Sequence, residues 1–316
     1  AVIDNILEEI KTAGEFSDLF DLCRRVNLQK LNRRVLEALI RSGALDGLGP
    51  DRASMLASLD KATRLAEQYV RNRISGQNDF FGFDATSPVD DQAGGESSEF
   101  VLVNAWSKEK CLQGEKETLG VYLNGHPIDR YLEELQSFIT TRLNDIQPGS
   151  TRVAGYINRI RTRPWSRGKM AELTIDDRTA HQLVRVFPEQ FEQYRNLVVK
   201  DNLIIVCGDV EQDDYAVSGL SIKAKNIYSL EQYRNEFSKL LLTVNTNQSV
   251  NGLVPELKSN LGEFLRGPTP VILEYCNGTA SCRLNLGDEW RVDARNELIQ
   301  KLRACLGENN VRLIYQ

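Results

Sequence analysis

Thr151-Arg152-Val153-Ala154-Gly155-Tyr156-Ile157-Asn158-Arg159-Ile160 is the stretch whose pattern decides the fold. Upstream of it, apolar residues recur at helical spacing. From about residue 150 the pattern turns to that of strands. Lys169 to Asp176 alternates and ends in an Asp176-Asp177 turn. His181 to Phe187 alternates again, and Pro188 to Leu197 predicts one short helix. Leu203 to Val210 reads as an apolar strand, Gln212-Asp213-Asp214-Tyr215 as a turn, and Val217 to Ile227 as the last strand.

Three strands, a helix and two strands are the order of an OB-fold, a five-stranded β-barrel. The barrel is expected over residues 150–232. Residues 1–75 predict helices. Ile3, Ile6, Leu7 and Ile10 form one apolar face, Phe16, Leu19, Phe20 and Cys23 start a second, and Leu31 to Ile40 forms a third helix. Gly43 suits a helix C-cap and Pro50 permits a new start. The helix from residue 51 is expected to bury Leu56, Leu59, Ala62, Leu65, Ala66, Tyr69 and Val70. Residues 76–100 hold a short motif and an acidic stretch without Lys or Arg from 84 onward, a self-repelling linker. Residues 101–149 predict a mainly helical connector, with Leu132, Leu135, Phe138 and Ile139 on one helix face. Residues 237–316 predict a small α+β domain, with a meander that includes a strand at Trp290 to Val292. The whole is a multidomain α+β chain.

A chain of 316 residues with 41% hydrophobic and 26% charged residues is ordinary for a globular protein of two or three domains. No apolar run approaches the roughly 20 residues that span a bilayer, so no membrane partner is expected. The start at Ala1-Val2-Ile3-Asp4 has no basic or apolar leader, which predicts a piece of a longer protein. A net charge of −5 argues against a wholly basic nucleic-acid binder but allows a local basic face. Six scattered cysteines predict reduced thiols in a cytosolic setting. Cys276 and Cys282 lack the further N or S ligands of a zinc site.

Between Arg152 and Ala171 stand six cations, Arg152, Arg159, Arg161, Arg163, Arg167 and Lys169, and no acid. Tyr156 and Trp165 are interleaved with them. Cations attract phosphates, and aromatic faces stack unpaired bases. The first hairpin of an OB-fold is a usual contact for single strands, so these eight residues are the candidate single-strand site. A solvated hairpin with Trp165 packed on the barrel is the alternative. Lys30, Arg33, Arg34 and Arg41, followed by Ser42 and Gly43, form a candidate phosphate contact for duplex DNA. A plain capped turn is the alternative there. Catalytic constellations are missing: His126 and His181 supply no triad or metal cluster, and the pairs Asp90-Asp91, Asp176-Asp177 and Asp213-Asp214 fall in a linker and in turns. No metal site is expected.

Gln77-Asn78-Asp79-Phe80-Phe81 places a Gln and two aromatic residues in a polar tether, where apolar clusters mark interaction sites. It resembles the internal clamp-binding pentapeptide of bacterial replicative polymerases. With Phe20-Asp21-Leu22-Cys23, Lys30 to Glu37, Ser42-Gly43-Ala44 before Leu48-Gly49, the long string Glu115 to Pro127, and Leu173 to Arg178, the chain resembles the C-terminal region of the bacterial DNA polymerase III alpha subunit. The resemblance implies a helix-hairpin-helix duplex-binding region whose first hairpin would lie before Ala1. It implies a β sliding clamp anchor at Gln77 to Phe81, with Phe80 where many members carry an aliphatic residue or Met. It also implies an OB domain for single-stranded DNA and a final domain that docks the clamp-loader tau subunit. The full polymerase would use Mg2+ in domains before Ala1, so this chain is expected to need no cofactor and to lack nucleotidyl transfer. Its setting would be the cytoplasmic, nucleoid-associated replisome. The competing readings are a free-standing single-strand-binding or recombination mediator protein, and a metal-dependent nuclease using the Asp pairs.

Overall fold

A computed structural model of the chain describes residues 2–28, 31–74, 99–166, 168–245, 252–276 and 280–315. Of the sequence-predicted sites, Lys30, Gln77 to Phe81 and Arg167 lie outside the described residues, as does the acidic linker as far as residue 98. The chain divides into two units, residues 1–127 and 128–316.

The first unit contains helices α1 (Val2–Ala13), α2 (Leu19–Arg25), α3 (Arg33–Ser42), α4 (Arg52–Ile74) and α5 (Lys108–Leu119). Their starts follow from side-chain caps. Asp18 accepts from Asp21 N at 2.8 Å, Asn32 from Val35 N at 3.1 Å, and Asp51 from Ala53 N at 2.8 Å. Gly43, at φ 84°, ends α3 in the left-handed region. Arg25 ties α2 to the end of α1 by donating to the carbonyls of Glu9, Gly14 and Glu15. Leu19, Leu22, Leu31, Leu36, Ile40, Met55 and Leu59 form the buried centre. Burial pushes the Cys23 thiol in this core up to about 12, with Asp18 adding to the effect.

Two expectations fail in this unit. Tyr69 and Val70 are exposed, at 43% and 47%, instead of buried. Helix α4 has 23 residues while α2 and α3 have 7 and 10, so its last turns outrun their partners. The connector is less helical than its composition implies. Helix α5 stops at Gly120 (φ 79°), and Leu119, Val121 and Leu123 face solvent.

The second unit opens with a 3-10 turn at Pro127–Tyr131 and short helix α6 (Leu132–Gln136). The barrel follows: β1 (Gly149–Trp165), β2 (Gly168–Asp176), β3 (His181–Val186), α7 (Pro188–Tyr194), β4 (Leu203–Gln212) and β5 (Leu220–Ser229). The strands close in the order β1-β2-β3-β5-β4, with β3 and β5 parallel and every other pair antiparallel. Val153, Ile157, Leu173, Ile175, Val184, Ile204, Val206, Ile222 and Ile227 fill the interior. This is the OB order expected from the sequence.

Helix α8 (Leu230–Phe237) then leads to β6 (Ser238–Asn245), α9 (Leu253–Gly262), β7 (Leu265–Thr269), β8 (Val271–Cys276), β9 (Ser281–Asn285), α10 (Asn296–Leu306) and β10 (Val311–Tyr315). The terminal sheet has the order β10-β6-β8-β9, and only β6 and β8 run parallel. Leu257, Leu261, Leu298, Leu302 and Leu306 seal the helices onto it. The expected strand at Trp290 to Val292 is instead a 3-10 turn over Asp288–Trp290, after which Val292 bridges singly to Leu265 and Thr269.

Barrel and terminal domain meet through a second apolar cluster centred on Tyr233. Its ring stacks on Phe138 at 4.3 Å and lies 4.7 Å from Phe237 and 6.0 Å from Tyr315. Beside it Arg234, buried, gives Nε to Glu134 Oε1 and Nη2 to Glu134 Oε2, each at 2.6 Å, and Nη1 to Asn296 Oδ1 at 2.6 Å. Tyr315 OH also donates to Glu134.

Candidate nucleic-acid interface

Strand β1 is 17 residues long and serves two partners. Residues 149–156 pair with β4, and residues 156–165 pair with β2. A bulge lies between Ile157 and Arg159. The extra residue reverses the alternation, so outward positions change from even to odd numbers. Val153 and Ile157 point into the barrel before the bulge, and Ile160 packs on the same core after it.

Arg159, Arg161, Arg163 and Trp165 therefore share one outward face, at every second position. Their β2 partners run from Thr174 down to Gly168. All four are exposed, as is Lys169. The last β2–β3 pair is Ala171 with Val186, so Arg163 to Trp165 and Gly168 to Met170 extend past β3 as a two-stranded arm. Arg163 is partly neutralised by Glu172 at 3.2 Å. Arg159, Arg161 and Lys169 form no ion pair among the described residues. Trp165 is 52% exposed and meets Phe187 edge to face at 5.9 Å.

Arg152 and Tyr156 are not part of this face. Arg152 lies over the Tyr233 ring at 5.6 Å and donates to the Phe138 carbonyl at 3.0 Å. Tyr156 packs on the Tyr233 cluster. Both belong to the junction with the terminal domain. Phe187 and Lys223, absent from the sequence-predicted set, do adjoin the hairpin face: Lys223 Nζ sits 5.3 Å from the Phe187 centroid. Phe187 follows an alternating strand, and Lys223 stands on an outward position of β5. Only the strand order reveals that they are neighbours of Trp165.

In the helical unit the candidate duplex residues divide. Arg33 and Arg34 are exposed on the first turn of α3, where Arg33 pairs with Asp60. Arg41 is held at the other end by Glu37 at 2.9 Å, with Glu117 at 3.9 Å and the Trp106 ring at 5.9 Å. Ser42 is buried and donates to the Leu39 carbonyl at 2.9 Å. A Cβ on Gly43 would lie 2.1 Å from Arg52 Nη2. Arg41, Ser42 and Gly43 are thus engaged within the fold, and the five described members of the set do not form one patch.

The string Glu115 to Pro127 has a structural explanation. Glu115 is fully shielded and accepts from Leu123 N at 2.9 Å, Asn124 N at 3.1 Å, Asn124 Nδ2 at 2.7 Å, and Arg52 Nη1 and Nη2 at 3.2 Å. Arg52 also grips Asp46 with two bonds of 2.7 Å. His126 is buried and packs edge-on to Tyr122 at 5.2 Å.

The acidic pairs within the described residues organise turns. Asp177 accepts from Thr179 N, Ala180 N and Leu143 N, and Asp176 from Arg178 N. Asp213 pairs with Arg185 at 2.7 Å. Among the described residues no group of three or more His, Cys, Asp or Glu is placed to hold a metal ion, and no helix is long and apolar enough to cross a membrane.

Family comparisons agree with this sequence of modules. A helix-hairpin-helix motif matches residues 1–55, an OB-fold nucleic acid binding domain matches residues 151–230, and the C-terminal domain of DNA polymerase III subunit alpha matches residues 256–307. These define a chain of nucleic-acid-binding modules followed by a polymerase-type terminal domain. DNA polymerase III subunit alpha of Vibrio cholerae is 36% identical over 98% of this chain and 27% of its own length. The Escherichia coli K12 subunit is 35% identical over 98% of this chain and 27% of its length, and the Pseudomonas aeruginosa subunit is 36% identical over 99% and 28%. The chain belongs to the DNA polymerase III subunit alpha family and corresponds to its C-terminal part. It spans 27% of the length of the Vibrio relative. Among solved structures, a replication protein A domain from Methanococcus maripaludis is 19% identical over 28% of this chain and 93% of its own, at a TM-score of 0.25.

Proposed function

We propose that this chain is the attachment region of a replicative DNA polymerase, holding the enzyme on DNA and to its partners without performing nucleotidyl transfer itself. The observation that carries this reading is the protruding β1–β2 arm, with Arg159, Arg161 and Trp165 exposed on one face and Lys169 exposed on the other. Cations on a two-stranded arm attract the sugar-phosphate backbone of a single strand, and Trp165 offers a ring to an unstacked base. Arg33 and Arg34 remain as the solvent-facing cations for duplex contact. Gln77 to Phe81 supplies the sliding-clamp anchor, and the terminal α+β domain docks the clamp-loader tau subunit. Mg2+ belongs to the polymerase centre of the complete protein, not to this region. Several modest attachments on one chain raise effective concentration, so no single one need be tight.

Binding of the chain to its cognate sliding clamp, beside a Gln77→Ala/Phe80→Ala/Phe81→Ala variant, tests the anchor. Binding lost only in the variant supports it; equal binding by both sinks it. Oligothymidylate binding over a salt series, wild type beside Arg161→Ala, tests the arm. The variant is expected to bind less tightly with a shallower salt slope, and an unchanged slope would leave the arm a solvated surface.

A further inference from the structure

The barrel face beside the arm is electrostatically lopsided. At one end Trp165, Phe187 and Lys223 form a continuous strip, with contacts of 5.9 Å and 5.3 Å. Lys223 is exposed and lies opposite Arg185 in the β3–β5 register. At the other end the β4–β5 turn carries Glu211, Asp213 and Asp214 and no cation between residues 211 and 219. Tyr215 stands there 94% exposed, an aromatic ring in acidic surroundings. Between the two ends Arg185, opposite Lys223 in the register, is paired with Asp213 at 2.7 Å.

A polyanion is drawn to the first end and repelled from the second. We propose that a single-stranded nucleic acid leaves the arm across Phe187 and Lys223, on the β3–β5 side of the barrel, and keeps clear of the β4–β5 turn. This path rests on the reading of the arm as a strand-binding element. In the complex Lys223 exchanges its contact with the Phe187 ring for a phosphate, which frees the ring face for a base. Tyr215, although the most exposed aromatic residue on the barrel, takes no part.

The test is fluorescence anisotropy of a labelled oligothymidylate with the full chain over a salt series, with a thermal melt of every variant. Lys223→Glu is expected to weaken binding about tenfold and to lower the salt slope by about 0.7, the value of one single-strand phosphate contact. Phe187→Leu, which keeps an apolar side chain but removes the ring, is expected to weaken it about fivefold or more. Tyr215→Ala is expected to match wild type, as is Lys225→Ala, because Lys225 is already paired with Asp209 at 2.6 Å. If Arg161→Ala weakens binding while Lys223→Glu and Phe187→Leu do not, the strand is confined to the arm and the path is refuted. If Tyr215→Ala is as damaging as Phe187→Leu, the path over β3–β5 is likewise overturned. If Arg161→Ala also binds as wild type, the arm reading falls with it. Should Phe187→Leu melt prematurely, the exposed Lys223→Glu alone decides.

Discussion

Glu115 and Arg52 meet inside the helical unit, 63 residues apart in sequence, with both terminal guanidinium nitrogens 3.2 Å from one carboxylate oxygen. Glu115 is fully shielded, and Arg52 nearly so. The pair joins the turn that follows α3 to α5 and to the Leu123-Asn124 backbone.

Removing one partner strands a buried charge, which typically costs about 3–5 kcal/mol. Arg52→Met is therefore expected to unfold at clearly lower urea concentration than wild type. Arg52→Met/Glu115→Gln is expected to recover part of the loss, because no buried charge is left behind (Asp46 is half-exposed) and the amide oxygen still accepts from Leu123 and Asn124. Trp106 fluorescence, with Trp165 and Trp290 replaced by Phe, reads this unit alone. A double variant no better than Arg52→Met would contradict the assignment.

The same pair sets an acid limit. Burial alone would raise the Glu115 carboxyl, but the N–H groups of Asn124 and Leu123, the Asn124 amide and Arg52 together outweigh it and lower it. A carboxyl lowered on folding contributes stability above its unfolded value of about 4.3. That contribution is lost as pH falls through the folded value. Stability of the helical unit is expected to decline below about pH 4.3, and Glu115→Gln to remove part of that slope. Asp51, lowered chiefly by the N–H of Ser54, accounts for some of the remainder. Urea midpoints from pH 3 to 7 decide it (a range bracketing the carboxylates).

Gly43 and Gly120 both end helices at positive φ, 84° and 79°. Ala at either position meets backbone strain of about 1 kcal/mol. At Gly43 the new methyl also strikes the guanidinium of Arg52, held in place by Asp46 and Glu115. At Gly120 it meets nothing within 4 Å. Gly43→Ala should therefore lower the melting temperature more than Gly120→Ala, and equal losses would show that Arg52 yields freely.

Arg152 and Arg161 lie on one strand but on opposite sides of the bulge. Arg152→Ala is expected to lower stability, through lost packing on Tyr233 and the lost bond to the Phe138 carbonyl, with unchanged oligothymidylate affinity of the folded protein. Arg161→Ala is expected to do the reverse. Melting temperatures and binding isotherms on the same two samples separate the effects.

The barrel was legible in the sequence because its strands alternate and its turns carry Asp pairs. Helix α3 was legible from apolar spacing. Helix α8 was not assigned, although Ser229 and Gln232 form a reciprocal capping box at its start. Charge clustering placed Arg152 and Tyr156 with the arm, because one inserted residue at the bulge alters facing without altering composition. The crowding of Gly43 depends on Arg52, held by Glu115 of α5, a contact that local spacing does not encode, whereas Arg41 and Ser42 are engaged chiefly within α3 by Glu37 and Leu39. Phe187 and Lys223 join Trp165 only through the β1-β2-β3-β5 order.

The junction around Glu134 has a mechanical meaning. Tyr315 on the last strand and Arg234 on α8 grip the same carboxylate, while Tyr233 wedges its ring among Phe138, Phe237 and Tyr315. Strand β10 is tied to α6 and the residues after it through a hydrogen bond to Glu134 and ring contact with Phe138. Barrel and terminal domain thus share one fastening, and loss of the Glu134 carboxylate would release Arg234 and Tyr315 together.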